Sequence, residues 1–253
     1  MNIIVITGAS SGLGREFAMQ LDQCNFLIDE IWLIARRKER LEEVALLLSH
    51  PCRILPYDLT TNEGILGYEN ELKQTNPMIK MLINCSGFGF VGKFGQIALK
   101  EQASMIDLNC KALTQITYLS IPYMKSRSRI IQLASSASFM PQPGFAVYAA
   151  SKSYVLSFAR ALSEELRKDN IFVTAVCPGP VRTEFFEHAE KYGKSFTFKK
   201  YTMVDTKQVV HKAIKNSLQG KTISVYGLPM NLFYFFSKII PHKWLLTGLR
   251  MFH

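Results

Sequence analysis

The sequence has no internal repeat, no low-complexity tract and no Pro/Gly/Ser-rich linker, so nothing divides its 253 residues into separate units. It has no CxxC pair, and its cysteines (Cys24, Cys52, Cys85, Cys110 and Cys177) are odd in number, widely separated and mostly set in apolar runs. That argues against a disulfide framework or a cysteine metal centre and for small core residues in a reducing compartment. The net charge is +10, yet there is no lysine or arginine run and no nucleic-acid-binding motif, so no nucleic-acid partner is expected. The basic excess is local. No Asp or Glu follows Asp205, whereas Lys207, Lys212, Lys215, Lys221, Lys238, Lys243 and Arg250 all do. The first residues run directly into an apolar strand with neither a basic flank nor a cleavage site, which predicts no secretory signal and a cytoplasmic protein.

What is present is an alternation. Apolar runs at 3–6, 31–35, 52–57, 78–83, 129–134 and 171–176 read as strands, with a seventh at 222–226 closing one edge, and helical patterns fill the intervals. Residues 99–125 read as one long helix with Asn109 set among Met105, Ile106, Leu108, Ala112 and Leu113. With 48% hydrophobic and 20% charged residues, the pattern predicts an α/β fold. It would be a Rossmann-type doubly wound parallel sheet of about seven strands, a single domain over 1–227 with a helical C-terminal tail over 228–253.

The first strand passes into Thr7-Gly8-Ala9-Ser10-Ser11-Gly12-Leu13-Gly14-Arg15 and then a helix. Gly8 would permit a tight turn, Gly12 would let backbone N–H groups approach a pyrophosphate, and Gly14 would let helix and strand pack closely. The GxxxGxG spacing departs from the common GxGxxG, and a plain tight turn is the alternative. The second strand ends in Arg36-Arg37, where an NAD site usually offers an acid. Guanidinium there suits a 2′-phosphate, with Arg15 as a second contact, which favours NADP(H) over NAD(H). The other reading is that Arg36 and Arg37 begin a solvated helix. Asp58-Leu59 closes the third strand, where Asp58 would meet an adenine amino group or cap the next helix. Asn84-Cys85-Ser86-Gly87 is another polar turn at a strand's carboxyl end, the edge where ligands bind in open α/β sheets.

Tyr148 and Lys152 share a helical face at i, i+4, and Ser135 lies thirteen positions earlier at a strand's end. An ammonium beside a phenol favours the phenolate, by ~4 kcal/mol at ~4 Å and an effective dielectric of ~20, before desolvation is subtracted. Such a pair would exchange a proton with a substrate hydroxyl while Ser135 hydrogen-bonds a carbonyl oxygen. Alone, Tyr-x-x-x-Lys is equally a solvated lysine beside a half-buried tyrosine.

Taken in order, Thr7-Gly8-x-x-x-Gly12-x-Gly14, Asp58-Leu59, Asn84-Cys85-Ser86-Gly87, Asn109, Ser135, Tyr148-x-x-x-Lys152 and Cys177-Pro178-Gly179-x-x-x-Thr183 resemble the short-chain dehydrogenase/reductase family. The resemblance implies hydride transfer between a nicotinamide cofactor and a carbonyl or hydroxyl carbon. It implies Tyr148 as general acid/base, Lys152 lowering its pKa and holding the nicotinamide ribose, and Ser135, with Ser136 as the close alternative, orienting the substrate oxygen. Asn109 would sustain a proton relay through Lys152, Asn84 would sit by the cofactor ribose, and Pro178, Gly179, Val181 and Thr183 would lie along the nicotinamide half. The family's Asn-Asn-Ala-Gly turn is here Asn84-Cys85-Ser86-Gly87, which keeps the first Asn and the Gly. The family often forms dimers or tetramers, so a homodimer or homotetramer is expected.

Phe185, Phe186, His188, Tyr192, Phe196, Phe198 and Tyr201 fall at 180–205, where this family places its substrate lid. Their density suggests an apolar, bulky substrate such as a steroid-like or fatty-chain ketone, within the expected partner class of small apolar carbonyl or alcohol molecules; the alternative is rings that only pack the lid on the core. His188 reads as a lid residue, and no metal site is expected. In the tail, Leu232, Phe235, Phe236, Ile239 and Ile240, then Trp244, Leu245, Gly248, Leu249 and Phe252 after Pro241, make two stripes too short to span a bilayer. These suit peripheral membrane contact, a cover for the cleft or a subunit interface. The activity expected is that of an NADP-dependent carbonyl reductase or alcohol dehydrogenase. The rival is a non-catalytic dinucleotide-binding module that senses redox state or docks at a membrane.

Overall fold

The computed structural model describes residues 1–185, 189–193 and 203–250. Strand β1 (Asn2–Thr7) sends Ile3 and Val5 into one core cluster and Ile4 and Ile6 into another. Period-two alternation thus buries both of its faces, as a central parallel strand requires. Beside it run β2 (Glu30–Ile34), β3 (Cys52–Leu55), β4 (Met78–Asn84), β5 (Met124–Leu133), β6 (Phe172–Val176) and β7 (Ile223–Ser224). Among the described residues they form a seven-stranded parallel sheet in the order β3-β2-β1-β4-β5-β6-β7. The helices between them are α1 (Gly12–Asp22), α2 (Lys38–Ala45), α3 (Asn62–Thr75), α4 (Leu99–Ile106), α5 (Leu113–Ser120), α6 (Ala146–Glu165) and α7 (Thr206–Leu218). This is the single doubly wound α/β domain that the alternation predicts. Because β1 pairs with both β2 and β4, the chain's winding reverses there, and a crevice opens past the carboxyl ends of β1 and β4.

β7 is Ile223–Ser224 rather than the expected 222–226, and other boundaries differ from those expected of the sequence. β3 stops at Leu55 because Pro56 has no N–H to continue the ladder. The helix expected over 99–125 ends by Tyr123, where Pro122 tightens the last turn, and it contains a π-helical turn at Asp107–Ala112. β5 begins at Met124, earlier than expected, and is interrupted: the partner of Ile79 is Met124 but that of Met81 is Arg129, while Ser128 Oγ ties the bulge to the Ile79 carbonyl at 2.7 Å.

The tail folds as α8 (Leu228–Ile239) and α9 (His242–Arg250), split at Pro241 as the sequence suggests. Among the described residues no helix is long and apolar enough to cross a membrane.

Candidate active site

The glycine turn is fixed by close backbone approach. Gly8 has φ +68°, and a Cβ there would stand 2.9 Å from the Ser86 amide; a Cβ on Gly14 would stand 2.2 Å from the Gly8 carbonyl oxygen. Helix α1 is thereby drawn against β1 with its N-terminus at the crevice. Ser11 is its N-cap without a side-chain cap, and no acid occupies its first turn. Its leading N–H groups and positive dipole end are therefore available to an anion.

From this turn a cleft of about 1370 Å³ extends to the tail, well above the ~300–1,000 Å³ of a drug-sized pocket. Gly8, Ser10, Ser11, Gly12, Leu13, Gly14, Arg36, Asp58, Leu59, Ser135, Tyr148, Lys152, Pro178, Gly179, Val181 and Thr183 all line it.

Tyr148 and Lys152 rise from the first turns of α6 and are both buried. Lys152 Nζ lies 5.8 Å from the centre of the Tyr148 ring and donates to the Leu133 carbonyl at 2.8 Å. Phe145 stacks on Tyr148 at 4.2 Å. Burial pushes the phenol up to about 12, opposed by hydrogen bonding to the Ser135 hydroxyl. Burial brings the Lys152 ammonium down to about 8, against the opposing pull of Cys85, Cys110 and Cys177. The expectation that the ammonium lowers the phenol is therefore not met. Stripping water from each group dominates, and Ser135 exerts the downward pull on the phenol. Ser135 Oγ accepts from the Ala137 amide at 3.1 Å, which positions it at the cleft wall, and Ser136 lines the cleft beside it.

Two of the sequence-selected residues face away from the cleft. Asn84 turns inward beneath it, donating to Thr117 Oγ1 at 3.0 Å and Gln132 Oε1 at 3.1 Å, because it is the last ladder residue of β4 and its side chain falls among α5 and β5. Arg15 is exposed one turn into α1 and does not reach the cleft wall. Asn109 sits in the π-turn, fully buried. It accepts from the Phe88 amide at 3.1 Å and donates to the Phe88 carbonyl at 2.9 Å and to Ser151 Oγ at 3.0 Å. The wider turn lets one side chain satisfy both backbone groups of Phe88. A Cβ on Gly87 would stand 2.9 Å from Asn109 Oδ1 and 3.1 Å from Lys152 Nζ, so both groups flank the same point. Asp58 lines the cleft and also caps locally, taking the Thr60 amide at 3.0 Å.

Residues 2–192 match the sequence profile described as short chain dehydrogenase. The chain belongs to that family. This short-chain dehydrogenase is 33% identical over 190 residues to sulfoacetaldehyde reductase 2 of Chromohalobacter salexigens, covering 73% of this chain and 74% of that one. It is 35% identical over 202 residues to 11-beta-hydroxysteroid dehydrogenase-like 3 of Arabidopsis thaliana, covering 77% of this chain and 64% of that one. A short-chain dehydrogenase from Sphingobium yanoikuyae, solved in complex with NADPH, superposes with a TM-score of 0.79 at 26% identity, over 99% of this chain and 94% of that one.

Further side chains of the short-chain dehydrogenase shape the cleft. Arg37 reaches back to Ser11 Oγ at 3.3 Å and across to Glu184 Oε2 at 3.1 Å, joining the glycine turn to the segment after Thr183. Phe88, Phe90, Met140 and Phe145 line the apolar end; the first two follow Gly87 in a Gly-Phe-Gly-Phe string that advertised them. Of the lid aromatics, Phe185 lines the cleft and packs 5.4 Å from Tyr148, and Tyr192 packs 5.9 Å from Phe90. Phe186, His188, Phe196, Phe198 and Tyr201, and Phe252 of the tail, lie outside the described residues. Pro229, Met230 and Phe233 of α8 complete the cleft wall, so this tail helix covers the site.

Burial raises Cys85 and Cys177 to about 12, which makes them neutral fillers around Lys152. Cys24, Cys52 and Cys110 are half-buried, less enclosed than core residues.

Proposed function

We propose that this short-chain dehydrogenase is an NADP(H)-dependent carbonyl reductase acting on apolar ketones or aldehydes. The observation that carries the reading is one cleft with an anion-ready helix N-terminus and two arginines at one end and Ser135, Tyr148, Lys152 and a ring-lined space at the other. The residues fit a dinucleotide: the uncapped start of α1 and the Gly8–Gly14 approach suit a pyrophosphate, and Arg36 and Arg37 suit a 2′-phosphate.

When bound, the nicotinamide supplies or accepts the hydride. Ser135 Oγ would hold the substrate carbonyl oxygen, and Tyr148 Oη would deliver a proton to that oxygen as it gains charge. A phenol held up near 12 is protonated at neutral pH, the form that reduction needs and alcohol oxidation does not. Lys152 at about 8 remains mostly ammonium at pH 7, so its positive charge faces the same region and would favour the tyrosinate left behind. Phe88, Phe90, Met140, Phe145 and Phe185 leave few polar partners for a substrate body, which supports an apolar carbonyl compound.

The test is consumption of NADPH with a panel of apolar ketones and aldehydes, by the intact protein and by Tyr148→Phe. The substitution should lower kcat by about 10²–10⁴-fold while NADPH binding is unchanged, since only proton transfer is removed. No turnover of any panel member by the intact protein, or equal affinity for NADPH and NADH, would sink the reading.

A further inference from the structure

Helix α8 is apolar on two opposite faces. Met230, Phe233, Tyr234 and Ser237 turn inward: Phe139 meets Phe233 at 5.7 Å and Tyr234 at 4.9 Å, and a Cβ on Gly179 would stand 2.8 Å from Met230 Sδ. Leu228, Leu232, Phe235, Phe236 and Ile239 lie between 47% and 73% exposed. At 3.6 residues per turn the two sets are about 170° apart. The stripe that sequence periodicity selected is thus the solvent-facing one, where a surface helix ordinarily carries polar residues. Just past Pro241, Trp244 is 71% exposed.

The charges on the two tail helices have one sign. Lys238 lies on the flank of α8, exposed, with Nζ 5.6 Å from the Tyr234 ring. Lys243 follows on α9, and neither helix contains an acid.

We infer that the outward face of α8, with Trp244 beside it, docks on an anionic lipid bilayer. The helices are too short to cross one, so they would lie in the interface with rings and aliphatic chains inserted and the lysines at headgroup level. A second copy seated there would bring two lysine-flanked faces together, with no carboxylate on either helix to neutralise them. An anionic surface meets both features at once. Because the inner face of α8 lines the cleft, docking would also bring lipid-dissolved carbonyl compounds within one helix diameter of the site. That consequence alone rests on the function proposed above.

The test uses the full-length protein with vesicles of phosphatidylcholine alone or mixed in equal parts with phosphatidylglycerol. The protein should sediment with the mixed vesicles, and its tryptophan emission should shift to the blue, because Trp244 is exposed while Trp32 is already buried. Trp244→Phe should abolish that shift. Lys238→Gln with Lys243→Gln should weaken partitioning by about thirty-fold. Phe235→Ser with Ile239→Ser should weaken it by a similar factor of about thirty, while NADPH titration and circular dichroism report an intact fold. Equal sedimentation with both vesicle types overturns the anionic assignment. No sedimentation, or a wild-type dimer that Phe235→Ser with Ile239→Ser converts to monomer in light scattering, overturns lipid docking.

Discussion

Lys152 is an ammonium that folding places where water is scarce, and the consequence is measurable apart from catalysis. Its pKa falls from 10.5 to about 8 on folding, burial being the cause. A base whose folded pKa is depressed is disfavoured while charged. Below pH 8 both folded and unfolded chains hold the proton and the penalty is constant. Between about pH 8 and 10.5 the unfolded chain holds more of it, so this group's contribution to stability rises with pH. At 1.36 kcal/mol per pH unit the full displacement is worth roughly 3 kcal/mol. Lys152→Met removes the titration and also leaves the Leu133 carbonyl without its 2.8 Å donor. The lost bond is a pH-independent offset, and the buried thiols and Tyr148 titrate in both proteins, so to first order the pH dependence of the difference isolates Lys152. Urea unfolding of both proteins under reducing conditions at steps from pH 7 to 10.5 gives that difference. Wild type should gain about 3 kcal/mol on Lys152→Met across the range, with half of it by about pH 9. A flat difference would mean that the ammonium is well solvated. A difference of opposite slope would mean that a hidden anion holds the proton on. Either outcome refutes a water-poor cleft around Lys152.

Other outcomes follow from single contacts. Gly14→Ala sets a Cβ against the Gly8 carbonyl oxygen, backbone that cannot rotate away, and should lower the stability in urea by about 1–3 kcal/mol with a matching loss of NADPH binding. Arg37 is paired with Glu184, both half-exposed; Glu184→Gln should release it and tighten NADPH by up to about five-fold, whereas Arg37→Ala should weaken NADPH and leave NADH little changed in fluorescence titrations. Asp22 is desolvated, yet the Ser49 and His50 amides and the His50 ring hold its carboxyl below the ordinary value. Its contribution should be full above about pH 4 and disappear as pH falls through the lowered value, so Asp22→Ala should cost about 1–3 kcal/mol at pH 7 and progressively less in acid melts.

What the sequence made legible was local. Tyr148 and Lys152 share a face because a helix repeats every 3.6 residues, and the glycine turn announces itself because Gly8 and Gly14 must let backbone meet backbone. The π-turn at Asp107–Ala112 carries no proline or glycine to mark it. Within it Asn109 meets the Phe88 amide and carbonyl, twenty-one positions away in the chain. Asn84 was misplaced for the same reason: spacing puts it at a strand's end, but Thr117 and Gln132 decide where its amide turns.

Periodicity shows that α8 has an apolar face; which face packs depends on the surface offered to it. Phe139 and the open space above Gly179 take Met230 and Phe233, and that leaves the stronger stripe outside. The protonation states show the same division most plainly. Two residues four apart look like a mutually stabilising pair in the sequence, where only their attraction is visible. In the fold, burial strips water from both groups and moves both pKa values against the charged forms, although the Ser135 hydroxyl pulls the phenol back and Cys85, Cys110 and Cys177 pull the ammonium back. A buried phenol near 12 keeps its proton at neutral pH beside a lysine near 8, the form that the reduction proposed above would draw on.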